Sequence, residues 1–243
     1  MSKARWNILQ KSENELNIYL YDDIEGDSYD WWTDEVIESA TSAKYIQRVL
    51  EQNLNATQIN LYINSYGGEV KEGLGIFNQL KRHPANKCAY IDGFACSIAS
   101  VIAMACDKVV MGPNSLMMIH HASMCAYGNS EELRKSATDL DVIDKASCSS
   151  YLLKAGDRLT EETLNQLLDN QTWLNADDCF KYGLCDVVTG KEDTTIIEAK
   201  QHYKAFISQQ VNTKVPIPKV PEQFKNQKSN YEKLRQAFIK NIK

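Results

Sequence analysis

Ser97 is the residue whose setting first suggests chemistry. It stands in the run GFACSIAS, between a predicted strand and an apolar helix. Small neighbours there let the backbone turn sharply and leave the hydroxyl exposed. A helix start supplies backbone N–H groups without intrahelical acceptors, and the positive end of the helix dipole. Together these suit a serine nucleophile whose developing oxyanion is held by amides. The run is not GxSxG, and a serine at a helix start is more often a plain N-cap, so Ser97 alone decides nothing.

Three further features bear on it. Gly67 and Gly68 follow a predicted strand in NSYGG, where paired glycines turn the chain tightly and let its backbone approach a ligand. A phosphate cradle fits less well, because neither GxGxxG nor the P-loop lysine pattern is present. His120 closes the apolar run SLMMIH at a strand end, and an imidazole there can take a proton from a serine. His121 points to the opposite side of an extended chain, so one of the pair faces Ser97. The acid that would orient the imidazole is not singled out: Asp139, Asp141, Asp144, Asp157 and Asp169 all lie downstream.

The elements that must position these residues are read from hydrophobic periodicity. Strands are predicted over 16–21, 58–63, 88–92, 108–111, 115–119 and 185–189. Helices are predicted over 34–52, 69–82, 98–106, 130–155, 160–168 and 173–183. Pro84 stops the second of these, and Thr160 opens the fifth with Glu161 and Glu162 at its positive end. Strands alternating with helices give an α/β fold with a mainly parallel sheet and right-handed crossovers.

Composition narrows the function classes. The chain has 243 residues, 43% hydrophobic and 24% charged, with a net charge of -5. That balance argues against a nucleic-acid-binding domain. No run of about 18 apolar residues marks a membrane span, and the polar N-terminus lacks a secretory h-region. Seven cysteines with no CxxC pair point to reduced thiols and a cytoplasmic setting. Most of them lie in apolar stretches, as small core residues. The four histidines show no zinc-type spacing with them, so no metal is expected. Residues 1–15 read as an N-terminal extension and 16–194 as the catalytic domain. Residues 195–243 read as a C-terminal extension, partly helical or disordered. It holds the proline-rich spacer VPIPKVP and then a basic amphipathic stretch.

Taken in order, the string YINSYGG…GLGIFNQLK…YIDGFACSIASVIAMACDKVVMGPNSLMMIHHA…YGLCDVV resembles the proteolytic subunit of the Clp protease family. Its flavour is nearest the Clp-like proteases encoded with phage heads. The match covers about residues 16–190 and includes the ending A-x-x-C-x-x-Y-G-L-x-D. The resemblance implies a ClpP/crotonase-like ββα superhelix with a protruding helical handle, here 130–155. It implies Ser97 as nucleophile and His120 as general base. It implies Gly68 and Ile98 as the oxyanion amides, and peptide hydrolysis through an acyl-enzyme with no cofactor. Tyr66 stands where the family commonly has proline. Gln171 stands in the slot of the family's triad aspartate, which leaves three readings of the third member: Asp169, two residues earlier, as a substitute acid; Gln171 itself as a neutral orienter; or another acid or none. The family implies a ring-forming homo-oligomer acting on protein or peptide substrates. Partnership with an AAA+ ATPase is left open. Rival readings are a capsid or scaffold maturation role, a catalytically weakened assembly protein on the same fold, and an acyl-CoA-binding crotonase-like enzyme.

Overall fold

The computed structural model describes residues 9–12 and 14–190. The chain divides into two units, Met1–Lys191 and Glu192–Lys243. The second unit contains the proline-rich spacer and basic stretch, which lie outside the described residues.

The chain opens with β1 (Leu9–Ser12), β2 (Glu15–Leu20), β3 (Ser28–Asp30), β4 (Glu35–Ile37) and α1 (Ala43–Gln52). The central βα repeats follow as β5 (Gln58–Ser65), α2 (Val70–Arg82), β6 (Asn86–Cys96), α3 (Ile98–Ala103), β7 (Lys108–Met111) and β8 (Leu116–Ile119). The last part holds α4 (Ser130–Ala155), α5 (Glu161–Asp169), β9 (Thr172–Asn175), α6 (Ala176–Lys181) and β10 (Val187–Val188).

Strands β2, β5, β6, β7 and β10 run parallel in that spatial order, with β1 antiparallel at the β2 edge. This is the α/β architecture expected from the alternation. One face buries Ile18, Leu20, Leu61, Ile63, Ala89 and Ile91 under the helices. The opposite face carries Tyr19, Tyr62 and Tyr90 as cross-strand neighbours, stacked with centroids 4.7 and 5.1 Å apart.

Strand β6 is the element that delivers the site, because it forks. Its first half, Cys88–Ile91, pairs with β7, and its second half, Phe94–Cys96, pairs with β8. The register against β5 shifts between the two halves. At the shift the Asn64 carboxamide oxygen accepts the Phe94 N–H at 3.1 Å. A Cβ on Gly93 would stand 2.4 Å from that oxygen, so glycine is what fits.

Two sequence expectations are corrected. The helix expected over 34–52 begins only at Ala43, and the residues before it form the β3–β4 hairpin. Ser42 caps the helix by accepting from the Tyr45 N–H, and Glu72 Oε2 accepts the Ala43 N–H at 2.7 Å. Val36, counted toward the helical spacing, is exposed in the hairpin. The helix expected over 173–183 is a strand followed by a short helix. Trp173 and Leu174 pair with β8, and Asn175 caps α6 by accepting from the Asp178 N–H.

The handle is helix α4. Asn129 and Glu132 form a reciprocal capping box at its start, and two acidic residues lie in its first turn. At its far end Tyr151 and Ala155 are buried, and Lys154 Nζ reaches Asp186 Oδ2 at 2.6 Å. Among the described residues no helix is long and apolar enough to cross a membrane.

Candidate active site

Ser97 follows the last residue of β6 and precedes α3 directly. Its backbone has φ 52° and ψ -129°, a strained conformation for a residue with a Cβ. The strain is held from both sides. The Ser97 N–H donates to the Met118 carbonyl at 2.8 Å, which prolongs the β6–β8 ladder by one residue. Behind it α3 is buried at every position, so the turn cannot relax outward.

The glycine turn lies against this serine. A Cβ on Gly67 would stand 2.7 Å from Ser97 Cβ and 2.8 Å from the Cys96 carbonyl oxygen. Gly67 has φ 103°, which also excludes an ordinary side chain. The turn is fixed by the Ile24 segment: Ile24 N–H donates to the Gly67 carbonyl and Glu69 N–H to the Ile24 carbonyl, both at 2.7 Å. Neither bond uses the Gly68 N–H. Among the described residues, the Gly68 and Ile98 N–H groups have no hydrogen-bond acceptor.

A shell of hydrogen bonds supports the turn from below. Ser100 Oγ donates to the Ser97 carbonyl at 2.6 Å and lies 2.6 Å from the Tyr151 hydroxyl. With the Ser100 proton so committed, Tyr151 donates to Ser100. The handle base is thereby wired to the serine turn. Burial pushes the neighbouring Cys96 thiol up to about 11, so it stays protonated and unreactive at neutral pH.

His120 lies just past β8, two residues beyond Met118, whose carbonyl receives the Ser97 N–H. That puts Ser97 and His120 on adjacent strand ends. Among the described residues, neither the Ser97 hydroxyl nor the His120 ring has a hydrogen-bond partner. His121 is heavily engaged instead. Its Nδ1 lies 2.5 Å from Asp144 Oδ2 and its Nε2 3.1 Å from Asp169 Oδ1. Burial disfavours the His121 cation, but the two aspartates outweigh it and hold the pKa above the ordinary histidine value.

Asp169, expected as a substitute acid, therefore reaches the histidine pair through His121. Gln171 is exposed, with φ 46°, and is not hydrogen-bonded to His120. Asp144 also accepts the Ala122 N–H at 2.8 Å. Sequence reasoning named Asp144 only as one acid among several, and it missed Tyr151 and Ser100. The adjacent histidines were visible as a pair, but nothing local tells which helix faces each ring.

A groove of about 540 Å³ opens beside the turn, lined by Asp23, Glu25, Gly68, Glu69, Ser123 and Leu140 among others.

Comparison with known proteins identifies the family. The family model described as Clp protease matches residues 8–192. The proteolytic subunit 1 of the ATP-dependent Clp protease of Streptomyces avermitilis is 29% identical over 162 residues, covering 66% of this chain and 73% of that protein. The corresponding subunit of Ligilactobacillus salivarius is 29% identical over 182 residues, covering 74% and 91%. That of Deinococcus radiodurans is 32% identical over 133 residues, covering 54% and 64%. Among solved structures, a ClpP1 mutant from Listeria monocytogenes superposes with a TM-score of 0.58 at 19% identity, covering 73% of this chain and 92% of that one. The long α4 helix and the parallel sheet fit that fold. The chain belongs to the Clp protease family and is a serine peptidase of the Clp type.

Proposed function

We propose that the chain hydrolyses peptide bonds through an acyl-enzyme on Ser97, with His120 as general base. The observation that carries this reading is the serine turn itself. Ser97 is held in a strained backbone conformation against Gly67, and the Gly68 and Ile98 amides beside it have no hydrogen-bond acceptor.

His120 takes the Ser97 hydroxyl proton as Oγ attacks the peptide carbonyl carbon. The carbonyl oxygen becomes an oxyanion, which accepts from the Gly68 and Ile98 N–H groups. His120 then gives the proton to the leaving amine, and the peptide C–N bond breaks. Water enters, loses a proton to His120 and attacks the acyl ester, which releases the acid and restores Ser97. The Ser97–His120 hydrogen bond forms with substrate in place, as such bonds often do.

The third position is filled indirectly in this reading. Gln171 occupies the slot of the family's aspartate and offers a neutral acceptor. Asp169 supplies its charge one histidine away, through His121. We also propose a ring-forming homo-oligomer acting on protein or peptide substrates in a cytoplasmic setting. Light scattering tests the assembly, and a monomer in solution contradicts it.

Cleavage of casein or a fluorogenic peptide tests the chemistry. Ser97→Ala and His120→Ala should abolish turnover while leaving the protein folded. Cleavage unchanged in Ser97→Ala ends the assignment.

A further inference from the structure

His121 does more in this structure than sit beside His120. Its ring joins three elements: the end of β8, which carries His120, the handle α4 through Asp144, and the C-terminal end of α5 through Asp169. Asp144 grips the same segment twice, since its other oxygen accepts the Ala122 N–H at 2.8 Å. The residue that follows His120 is therefore tied at its ring and at its next amide.

The chemistry of the two bonds fixes the charge of the ring. Ionised carboxylates only accept hydrogen bonds. A neutral imidazole has one N–H, so it can satisfy one aspartate and must turn a lone pair toward the other. Only the imidazolium donates at both nitrogens. The Asp144 side chain is 16% exposed and the Asp169 side chain 71%, so the Asp144 bond is the better shielded of the two. The titratable groups lining the cavity beside the ring are Asp141, Asp144, Lys145 and Cys148 from α4 and Glu161 from the start of α5, and Asp169 at the end of α5 bonds the ring itself. Carboxylates predominate among them, and Lys145 is the one cation. The direction of the His121 pKa agrees.

We propose that His121 is a positioning residue, an imidazolium clamp between Asp144 and Asp169 that fixes the backbone carrying His120. This rests on the peptidase reading of Ser97 and His120. The clamp gives this chain a device for aligning the base when no carboxylate stands in the Gln171 slot. It works through the backbone and not by touching the substrate.

The sign of the pH effect follows. A histidine with a raised folded pKa contributes fully below its unfolded value of about 6.5 and loses the contribution as pH rises through the folded value. As His121 loses its proton one clamp bond fails, and activity falls on the alkaline side.

Two readouts test this. Side-chain nitrogen NMR of the full chain follows the four histidines through a pH titration, with the His121 signals assigned by their absence in His121→Gln. His121 should stay doubly protonated above the ordinary histidine range. Titration at or below about 6.5 overturns the clamp whether or not the protein is active. In parallel, the rate of Ser97 modification by a fluorophosphonate is measured against pH. The wild-type rate should fall about tenfold on the alkaline side, from misplacement of the base. His121→Arg keeps charge and two donors and should lose the alkaline limb. His121→Gln should be slow throughout, without that limb. Identical pH profiles for wild type and both variants overturn the positioning role. A wild type that is not modified at any pH, with His121 protonated as expected, overturns the peptidase reading and leaves only the clamp.

Discussion

Gly67 and Ser97 are packed so closely that a methyl group cannot be placed between them: a Cβ on Gly67 would stand 2.7 Å from Ser97 Cβ. The same added atom would stand 3.2 Å from the Ile98 nitrogen. The glycine turn and the serine turn are thus one unit, and the proposed oxyanion amides come from its two halves.

Gly67→Ala should damage function and stability together. The alanine must adopt φ near 103° and push Ser97 aside. Backbone strain of this kind costs about 1–3 kcal/mol. Displacement of the nucleophile by about 1 Å costs as much as 100-fold in rate. Thermal unfolding and peptide cleavage measured on one preparation check both. Full activity in Gly67→Ala contradicts the close packing.

Tyr151→Phe isolates the link between handle and serine turn. It removes the hydroxyl that donates to Ser100 Oγ and leaves the buried ring in place. The net loss is about 1 kcal/mol, since one hydrogen bond goes and Ser100 still donates to the Ser97 carbonyl. That lowers the thermal midpoint of a domain this size by about 2–4 °C. A larger fall in catalytic rate than in stability would show that Tyr151 holds the geometry of Ser97.

Lys154 is expected to matter for stability far more than for chemistry. Its ammonium reaches Asp186 at 2.6 Å and the Asp107 and Cys106 carbonyls at 3.1 and 3.3 Å, with its side chain 9% exposed. Lys154→Met strands the Asp186 carboxylate, which then keeps only the Val109 N–H. The expected cost is about 2 kcal/mol. Denaturant unfolding checks it, and an unchanged midpoint contradicts the geometry.

Thiol reactivity should single out Cys125, the one exposed cysteine among the described residues. Burial pushes Cys96 up to about 11 and partial burial beside Asp144 does the same for Cys148, while Cys88, Cys96, Cys106, Cys179 and Cys185 are buried outright. Maleimide at neutral pH, read by peptide mass spectrometry, should modify Cys125 first. The buried thiols should follow only on unfolding.

Much of this was legible in the sequence. Strands β5 and β7 and helices α2 and α4 carry strong periodicity and clear stops, so their positions follow from local physics. The hairpin before α1 does not, because Val36 and Ile37 fall on helical spacing by coincidence and the helix start is set by Glu72, far along the chain. The β9 strand was hidden for a similar reason: Trp173 and Leu174 become a strand because β8 is there to pair with them. The runs NSYGG and GFACSIAS were visible as short glycine and small-residue turns, while the oxyanion roles of Gly68 and Ile98 came only from the family resemblance and stay part of the proposal. The Asp144–His121–Asp169 bridge was not readable, since it joins three elements 23 and 48 residues apart. Which ring of an adjacent histidine pair meets which helix is decided by packing alone.

The most direct test of the central claim is covalent capture of the nucleophile. A fluorophosphonate is incubated with the full chain, and the adduct is located by intact mass and peptide mapping. The account predicts a single adduct on Ser97 in the wild type and none in Ser97→Ala. In His120→Ala the reaction should slow by at least about 100-fold, as loss of a general base requires. An unmodified wild type, or an adduct that persists in Ser97→Ala, contradicts it.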